Sequence, residues 1–275
     1  MVDRSPQSAM EQVARAHGAL LVAGDARTGS CLRSMQLERA REAVLLTGDD
    51  LVNLDAAWRI AEMAPDLPVT AHVSDLGLWR TIDAVRANGV GDRVRIFNAH
   101  RVAAHRLYEE HLAAYFATTE PEDVVVLLGF GRFGQTVLEY LQRRAGSQIK
   151  QAVVVDRAAG RRARLYEAQV GNGGRCDLVV VEGDLDDPHT FEHIDATLEM
   201  SEAPPVFVIG TDDDQRNLRS AITLRSSYPD SRIFVRCVHQ SAFGARISTT
   251  LRFEVLAVDA MLRHALAEEP TSWTR

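Results

Sequence analysis

Lysine is almost missing from this chain. Lys150 is the only one among 31 basic residues, so positive charge is carried almost entirely by arginine. The formal net charge is −7 and there is no basic block, which argues against nucleic acid as a partner. Cysteine is also scarce. Cys31, Cys176 and Cys237 are far apart and odd in number, giving neither a zinc knuckle nor a redox pair, and they suit a reducing compartment. No apolar run reaches the roughly 18 residues of a membrane span. The opening MVDRSPQSAM lacks the apolar core of a signal peptide. There is no GxSxG elbow, no HExxH and no lysine placed after a phosphate loop, which removes three common catalytic classes. What remains is an ordinary globular composition, 46% hydrophobic and 25% charged over 275 residues, enough for one large or two ordinary domains.

One stretch carries recognisable chemistry. Val124–Leu128 is a short apolar run that ends in Gly129-Phe130-Gly131-Arg132-Phe133-Gly134 and passes into a helical pattern, Gln135–Arg144. A second apolar run, Ala152–Val155, then closes on Asp156, 22 positions after Gly134 (156 − 134). Strand, glycine turn, helix, strand and acid form the dinucleotide-binding pattern. In that pattern Gly129 allows the tight turn, Gly131 lets the backbone approach a pyrophosphate, and Gly134 lets helix and strand pack closely. The helix N-terminus offers N–H groups to phosphate, and Asp156 can accept hydrogen bonds from an adenosine ribose.

The chain also repeats itself. Ala43–Asp50 before Asn53-Leu54 resembles Phe207–Asp214 before Asn217-Leu218, at an offset of 164 (217 − 53). Ala19–Val22 leading to Gly24-Asp25 resembles Leu178–Val181 leading to Gly183-Asp184, at an offset of 159 (183 − 24). Val69–Asp75 pairs with Ile233–His239, and Arg95–Leu107 with Glu254–Leu266. Strands alternating with helical stretches predict parallel βαβ units. The fold expected is therefore α/β: two tandem Rossmann-like, doubly wound parallel-sheet domains. The polar, proline-bearing stretch Ala117–Glu122 places the boundary so that 1–119 form the first domain and 120–275 the second. Met1–Arg4 matches Val154–Arg157, so the first copy lacks its initial β-α-β and the glycine turn. Such a copy exposes an edge at the centre of its sheet. Two explanations stand: an N-terminal truncation or a start inside a longer gene, or a degenerate copy whose gap the partner domain covers.

GFGRFG after a hydrophobic strand, VVVDR ending the next, an isolated EGD, then GTDDDQRNL and FVRC, resemble the RCK (TrkA-N, or KTN) regulatory domains of potassium channels and transporters. GDART, TGDDLVNL and AHVSD are the matching pieces of the first copy. The resemblance implies a cytoplasmic nucleotide-sensing module at the inner face of the cell membrane. Its partner would be a potassium channel or transporter pore, and copies would assemble through RCK–RCK contacts into a homo-oligomer. It implies a ligand in the second copy, NAD(H) first, with ADP or ATP also possible. Gly129, Phe130, Gly131, Arg132, Phe133 and Gly134 would wrap the phosphates, and Asp156 with Arg157 would face the ribose. Gly183 and Asp184 would lie beside the adenine, Thr211 and Asp212 would line the far side of the cleft, and Arg236 would reach a phosphate. Asp156 favours NAD over NADP, while Arg157, Arg161 and Arg162 weaken that discrimination. The resemblance also implies a helix pair joining the copies, for which His100–Ala117 and Asp259–Glu269 are the segments. The loop Val170–Arg175 is six residues longer than its first-copy equivalent (159 − 153). No catalytic residue and no metal site are expected. The alternatives are an NAD-dependent oxidoreductase, which would need an acid or base facing the nicotinamide, and a nucleotide-sensing adaptor without ion transport.

Other polar groups have plainer readings. His189 and His193 are spaced for one helical face but read as surface residues, since Asp187-Pro188 looks like a helix start. His100, His105 and His111 read as packing residues. Asp49, Asp50, Asp213 and Asp214 read as helix caps rather than cation ligands.

Overall fold

A computed structural model describes residues 2–4, 8–87, 94–170, 176–198 and 203–267. The chain forms two compact units, Met1–Asn98 and Ala99–Arg275.

The first unit runs β1 (Val2–Asp3), α1 (Ser8–Ala16), β2 (Val22–Ala23), α2 (Gly29–Ser34), β3 (Ala43–Leu45), α3 (Asp50–Met63), β4 (Val69–His72), α4 (Leu76–Ala87) and β5 (Val94–Phe97). Its strands lie in two separate parallel sheets, β1-β2 and β3-β4-β5. The strand expected at Ala19–Val22 is shorter and later, because only Val22 and Ala23 find partners, in Val2 and Asp3. The core gathers Leu45, Leu54, Ala57, Ile60, Val69, Trp79 and Ile96.

The second unit opens with a helical segment: α5 (Ala99–Arg106), a π-helical stretch Leu107–Leu112, and α6 (Ala113–Phe116). It continues with β6 (Asp123–Leu128), α7 (Arg132–Ala145), β7 (Ile149–Asp156), α8 (Ala159–Val170), β8 (Asp177–Glu182) and α9 (Pro188–Leu198). The last elements are β9 (Val206–Ile209), α10 (Asp214–Ser227), β10 (Arg232–Cys237), α11 (Ala242–Leu251), β11 (Glu254–Ala257) and α12 (Val258–Ala267). Six parallel strands form one sheet in the order β11-β10-β9-β6-β7-β8. Every residue of β6 and β9 is buried, which is why these strands read as unbroken apolar runs rather than alternating ones.

The compact units meet at Asn98/Ala99, while the sequence sets the expected domain boundary at 119/120. The reason is packing: α5 carries buried Val102, Ala103 and Ala104 and lies against α7 and α12 of the second unit. The segments His100–Ala117 and Asp259–Glu269, assigned from sequence to joining the copies, correspond to α5 through α6 and to α12, which both belong to one compact unit. Residues 171–175 of the long loop, and 268–269 of the second helical segment, lie outside the described residues.

Candidate functional site

From β6 the second unit fills its sheet outward through β7 to β8, then returns to β9 on the other side of β6 and continues to β10 and β11. In an open parallel sheet the crevice beyond the carboxyl ends of the strands at such a switch point receives ligands. A cleft of about 780 Å³ opens there. The turn after β6 lines it with Gly129, Gly131, Arg132 and Phe133, and the turn after β7 with Asp156 and Arg157. Gly183 and Asp184 follow β8, and Gly210–Asp213 follow β9. Arg162 of α8, Arg216 of α10 and His100 of α5 complete the wall.

The glycines differ in what requires them. Gly129 has φ +96°, and a Cβ there would lie 2.9 Å from the Thr211 backbone nitrogen. A Cβ on Gly134 would overlap the Gly129 carbonyl oxygen, so this glycine sets how closely α7 approaches β6. Gly131 is unlike both. A Cβ there would meet only the end of the Arg162 side chain, at 3.1 Å, so packing does not demand glycine. Gly131 is also the N-cap of α7 and contributes no side-chain cap. A bare backbone at a helix N-terminus is a seat for an anion.

Asp156 closes this turn. Its Oδ2 accepts the Phe130 backbone N–H at 2.9 Å and its Oδ1 accepts the Ala158 N–H at 3.0 Å. Arg162 Nε stands 3.3 Å from the same Oδ1. Phe130 serves the site through its backbone alone, since its ring is fully buried edge-on to Tyr166. Arg157 pairs with Asp184 at 2.7 Å, while Arg216 lies 3.8 Å from Asp184 and 2.8 Å from Asp186. The backbone N–H of Asp186, and then Arg157, hold the Asp184 carboxyl below the usual carboxylate range.

The far wall is a polar clamp. Thr211 donates its N–H and its hydroxyl to Asn217 Oδ1. Asn217 Nδ2 donates to the carbonyls of Thr211 at 3.0 Å and Arg236 at 2.9 Å. Asp213 caps α10, accepting from the N–H groups of Gln215 and Arg216. Asp214 is not a cap: its Oδ2 accepts the Val238 N–H and ties the helix to the loop after β10. Asp50 does the same in the first unit, accepting from Ser74 and Asp75.

Most of the residues singled out from sequence therefore meet in one cleft. Arg236 does not line it. The Arg236 side chain is buried beside the Phe133 ring, 5.9 Å from its centroid, and donates to the Thr211 carbonyl at 2.9 Å. Asp212 stands fully exposed on the rim. Gly134 and the Phe130 ring act beneath the cleft. Arg216 was missed, although its place in the GTDDDQR run, three residues after a cap, puts it on the first turn of α10. His100 is both a packing residue, 6.3 Å from the Phe133 ring centroid, and a cleft residue. His189 pairs with Glu192 at 2.9 Å on the surface of α9. His105 bonds Tyr140 at 2.7 Å, and His111 packs on Phe234.

The TrkA-N domain family matches residues 1–92 and 125–257. No curated protein sequence matches the chain. Among solved structures, GsuK bound to ADP superposes with a TM-score of 0.67 at 18% identity, covering 97% of this chain and 61% of that one. The GsuK channel bound to NAD gives 0.66 at 14% identity, covering 99% and 60%. The GsuK RCK domain gives 0.65 at 14%, covering 97% and 69%. The chain spans about three-fifths of the length of those GsuK channel chains. Among the described residues no helix is long and apolar enough to cross a membrane. A match over most of both units, together with the six-stranded Rossmann order of the second, establishes that this chain belongs to the TrkA-N domain family.

Proposed function

We propose that the second unit binds an adenine nucleotide in the cleft at the carboxyl ends of β6, β7 and β9, and that its occupancy regulates a potassium channel or transporter pore. The observation that carries the reading is the Gly131 N-cap of α7: a bare backbone at a helix N-terminus, with Asp156 fixing the turn and four arginines on the walls. Phosphates would sit on the first turn of α7, near Arg132 and Arg162. The ribose would face the free lone pairs of Asp156, and the adenine would lie toward Gly183 and Asp184. NAD(H) is the first candidate, because a carboxylate at the ribose disfavours a 2′-phosphate. ADP and ATP follow, and the GsuK structures carrying ADP and NAD support both classes.

The module acts at the inner, cytoplasmic face of the membrane, as a homo-oligomer built from contacts between such domains, and it is a regulator rather than an enzyme. A nucleotide shifts a regulatory equilibrium only by its differential affinity for the two arrangements. The two units are read as two copies of one fold, the first without its initial β-α-β.

Calorimetric titration with NAD, NADH, ADP and ATP tests the site. At least one binds the wild type, and Gly131→Asp weakens it at least about tenfold, because a carboxylate then occupies the anion seat. Equal binding by the variant, or none by the wild type, removes the assignment. Sustained NADH turnover with an oxidisable or reducible substrate would make the protein an oxidoreductase instead.

A further inference from the structure

The first unit has a pocket of its own, of about 450 Å³. It lies at the amino-terminal ends of β3 and β4, where Ala40 and Arg41 lead into β3 and Leu67 and Pro68 into β4. Leu32 and Leu67, both buried, and the exposed Met63 supply apolar lining.

The second unit shows what this space normally holds. Met63–Pro68 (MAPDLP) aligns with Ser227–Arg232 (SYPDSR) at the offset of 164 (228 − 64) that the flanking clamps and strands share. The two turns have one backbone. Ala64 ends α3 with φ −136° and ψ 80° and donates its N–H to the Ile60 carbonyl. Tyr228 ends α10 with φ −126° and ψ 74° and donates its N–H to the Leu224 carbonyl. The N–H of Leu67 reaches the Ala64 carbonyl, as that of Ser231 reaches the Tyr228 carbonyl. The side chains differ. The Tyr228 ring packs on Phe207 of β9, 4.9 Å between centroids, and its hydroxyl donates to Asp195 of α9. At the same offset the pair Phe207 and Tyr228 becomes Ala43 and Ala64. Two aromatic rings are missing, and Ala64 lines a pocket instead.

The rim of the pocket is charged. Arg33, Glu38, Arg41 and Asp66 line it and are all exposed. None of the four makes an ion pair or a side-chain hydrogen bond with another described residue. The cleft of the second unit is unlike this, because there Arg157, Arg162 and Arg216 already pair with Asp184, Asp156 and Asp186. Unpaired groups of both signs around an apolar hollow complement a ligand that carries both charges on an apolar body.

We propose that this pocket binds a free aromatic α-amino acid. The ring takes the space that aromatic side chains fill in the second unit. The carboxylate faces Arg33 and Arg41, whose forked N–H groups match it, and the ammonium faces Glu38 and Asp66. A phenylalanine or tyrosine side chain within a polypeptide brings the ring without the two α-charges and leaves the rim unanswered. The site belongs to the first unit alone and stands whether or not the second unit binds a nucleotide.

Saturation-transfer NMR on the 275-residue chain with L-phenylalanine is the test. Transfer to its ring protons should titrate with a Kd of about 1 mM or tighter, the range open to so small a ligand. Phenylpropionate, which lacks the ammonium, and phenethylamine, which lacks the carboxylate, should each bind at least about tenfold more weakly. Ala64→Tyr supplies the ring that the second unit has and should abolish transfer. Arg33→Glu combined with Arg41→Glu should weaken binding at least about tenfold and leaves the ring space untouched. Far-UV circular dichroism checks that each variant folds, and the exposed arginine pair decides the matter if Ala64→Tyr does not. Absence of transfer in the wild type overturns the proposal, as does binding that a folded variant leaves unchanged or that phenylpropionate matches. Self-association that Ala64→Tyr abolishes and L-phenylalanine does not disturb would make a second copy the occupant, and overturns it as well.

Discussion

The two units share a corner and differ in a centre. Each places a threonine at the end of a strand, an aspartate cap two residues later and an asparagine six residues later, and each closes the same clamp. That clamp is local: its bonds join the end of one strand, the next helix and the carbonyl of the following strand. It forms whether or not the central strand is present. The cleft is different. Its floor is the turn after β6, a strand that has no counterpart among the described residues of the first unit.

Three experiments press on that comparison. The largest effect is expected from an acid placed on the central edges. Val208→Asp buries an unpaired carboxylate between β6 and β10 and should cost more than about 4 kcal/mol, unfolding the second unit. Val44→Asp, at the same place in the first unit, should cost less than about 1 kcal/mol because the edge is open. Far-UV circular dichroism detects the first loss. With Trp273 of the second unit replaced by phenylalanine, tryptophan fluorescence follows the first unit through Trp58 and Trp79. Equal costs would mean that the first edge is covered.

The clamps should behave alike. Asn217→Ala and Asn53→Ala each leave a threonine N–H and two carbonyls without the partner that a buried asparagine supplied, at about 1–3 kcal/mol apiece in denaturant unfolding. A negligible cost in the first unit alone would show that its clamp does not bear on folding.

The smallest effect is one of pH. The Arg216 N–H, and then that of Gln215, hold the Asp213 carboxyl below the usual carboxylate range. A carboxyl depressed on folding contributes stability that is present above its unfolded pKa and is lost as pH falls through the folded value. Asp213→Asn should keep the cap near neutrality and flatten the acid limb of the second unit's stability below about pH 4. An unchanged acid limb would show that other groups govern it.

Much of this was legible because it is written in spacing. The glycine turn, Asp156 and the two 164-offset clamps follow from short-range sequence, where residue type and separation limit the backbone to few conformations. Arg236 was not legible: strand position put it near the site, but the Phe133 ring draws its guanidinium inward and Thr211 takes its donor. Arg162 and Arg216 reach the cleft because α8 and α10 start at its edge, which is a matter of how helices sit on the sheet. The division into compact units depends on packing in the same way. Proline and acids mark a loop at 117–122, but the buried face of α5 fixes where Ala99–Phe116 packs.

By itself, the sequence determined that the chain is a parallel α/β fold with one glycine turn after a buried strand. Apolar runs, glycines and caps act over a few residues, and their periodicity survives without knowledge of neighbours. Only the tertiary structure decided that Asp156 holds the turn to β7, that Arg236 lies behind the wall and that Val44 and Leu46 are exposed where Val208 and Gly210 are buried. Those outcomes depend on which side chain reaches a partner first and on which strand has a neighbour, and both are set by packing between residues distant in the chain.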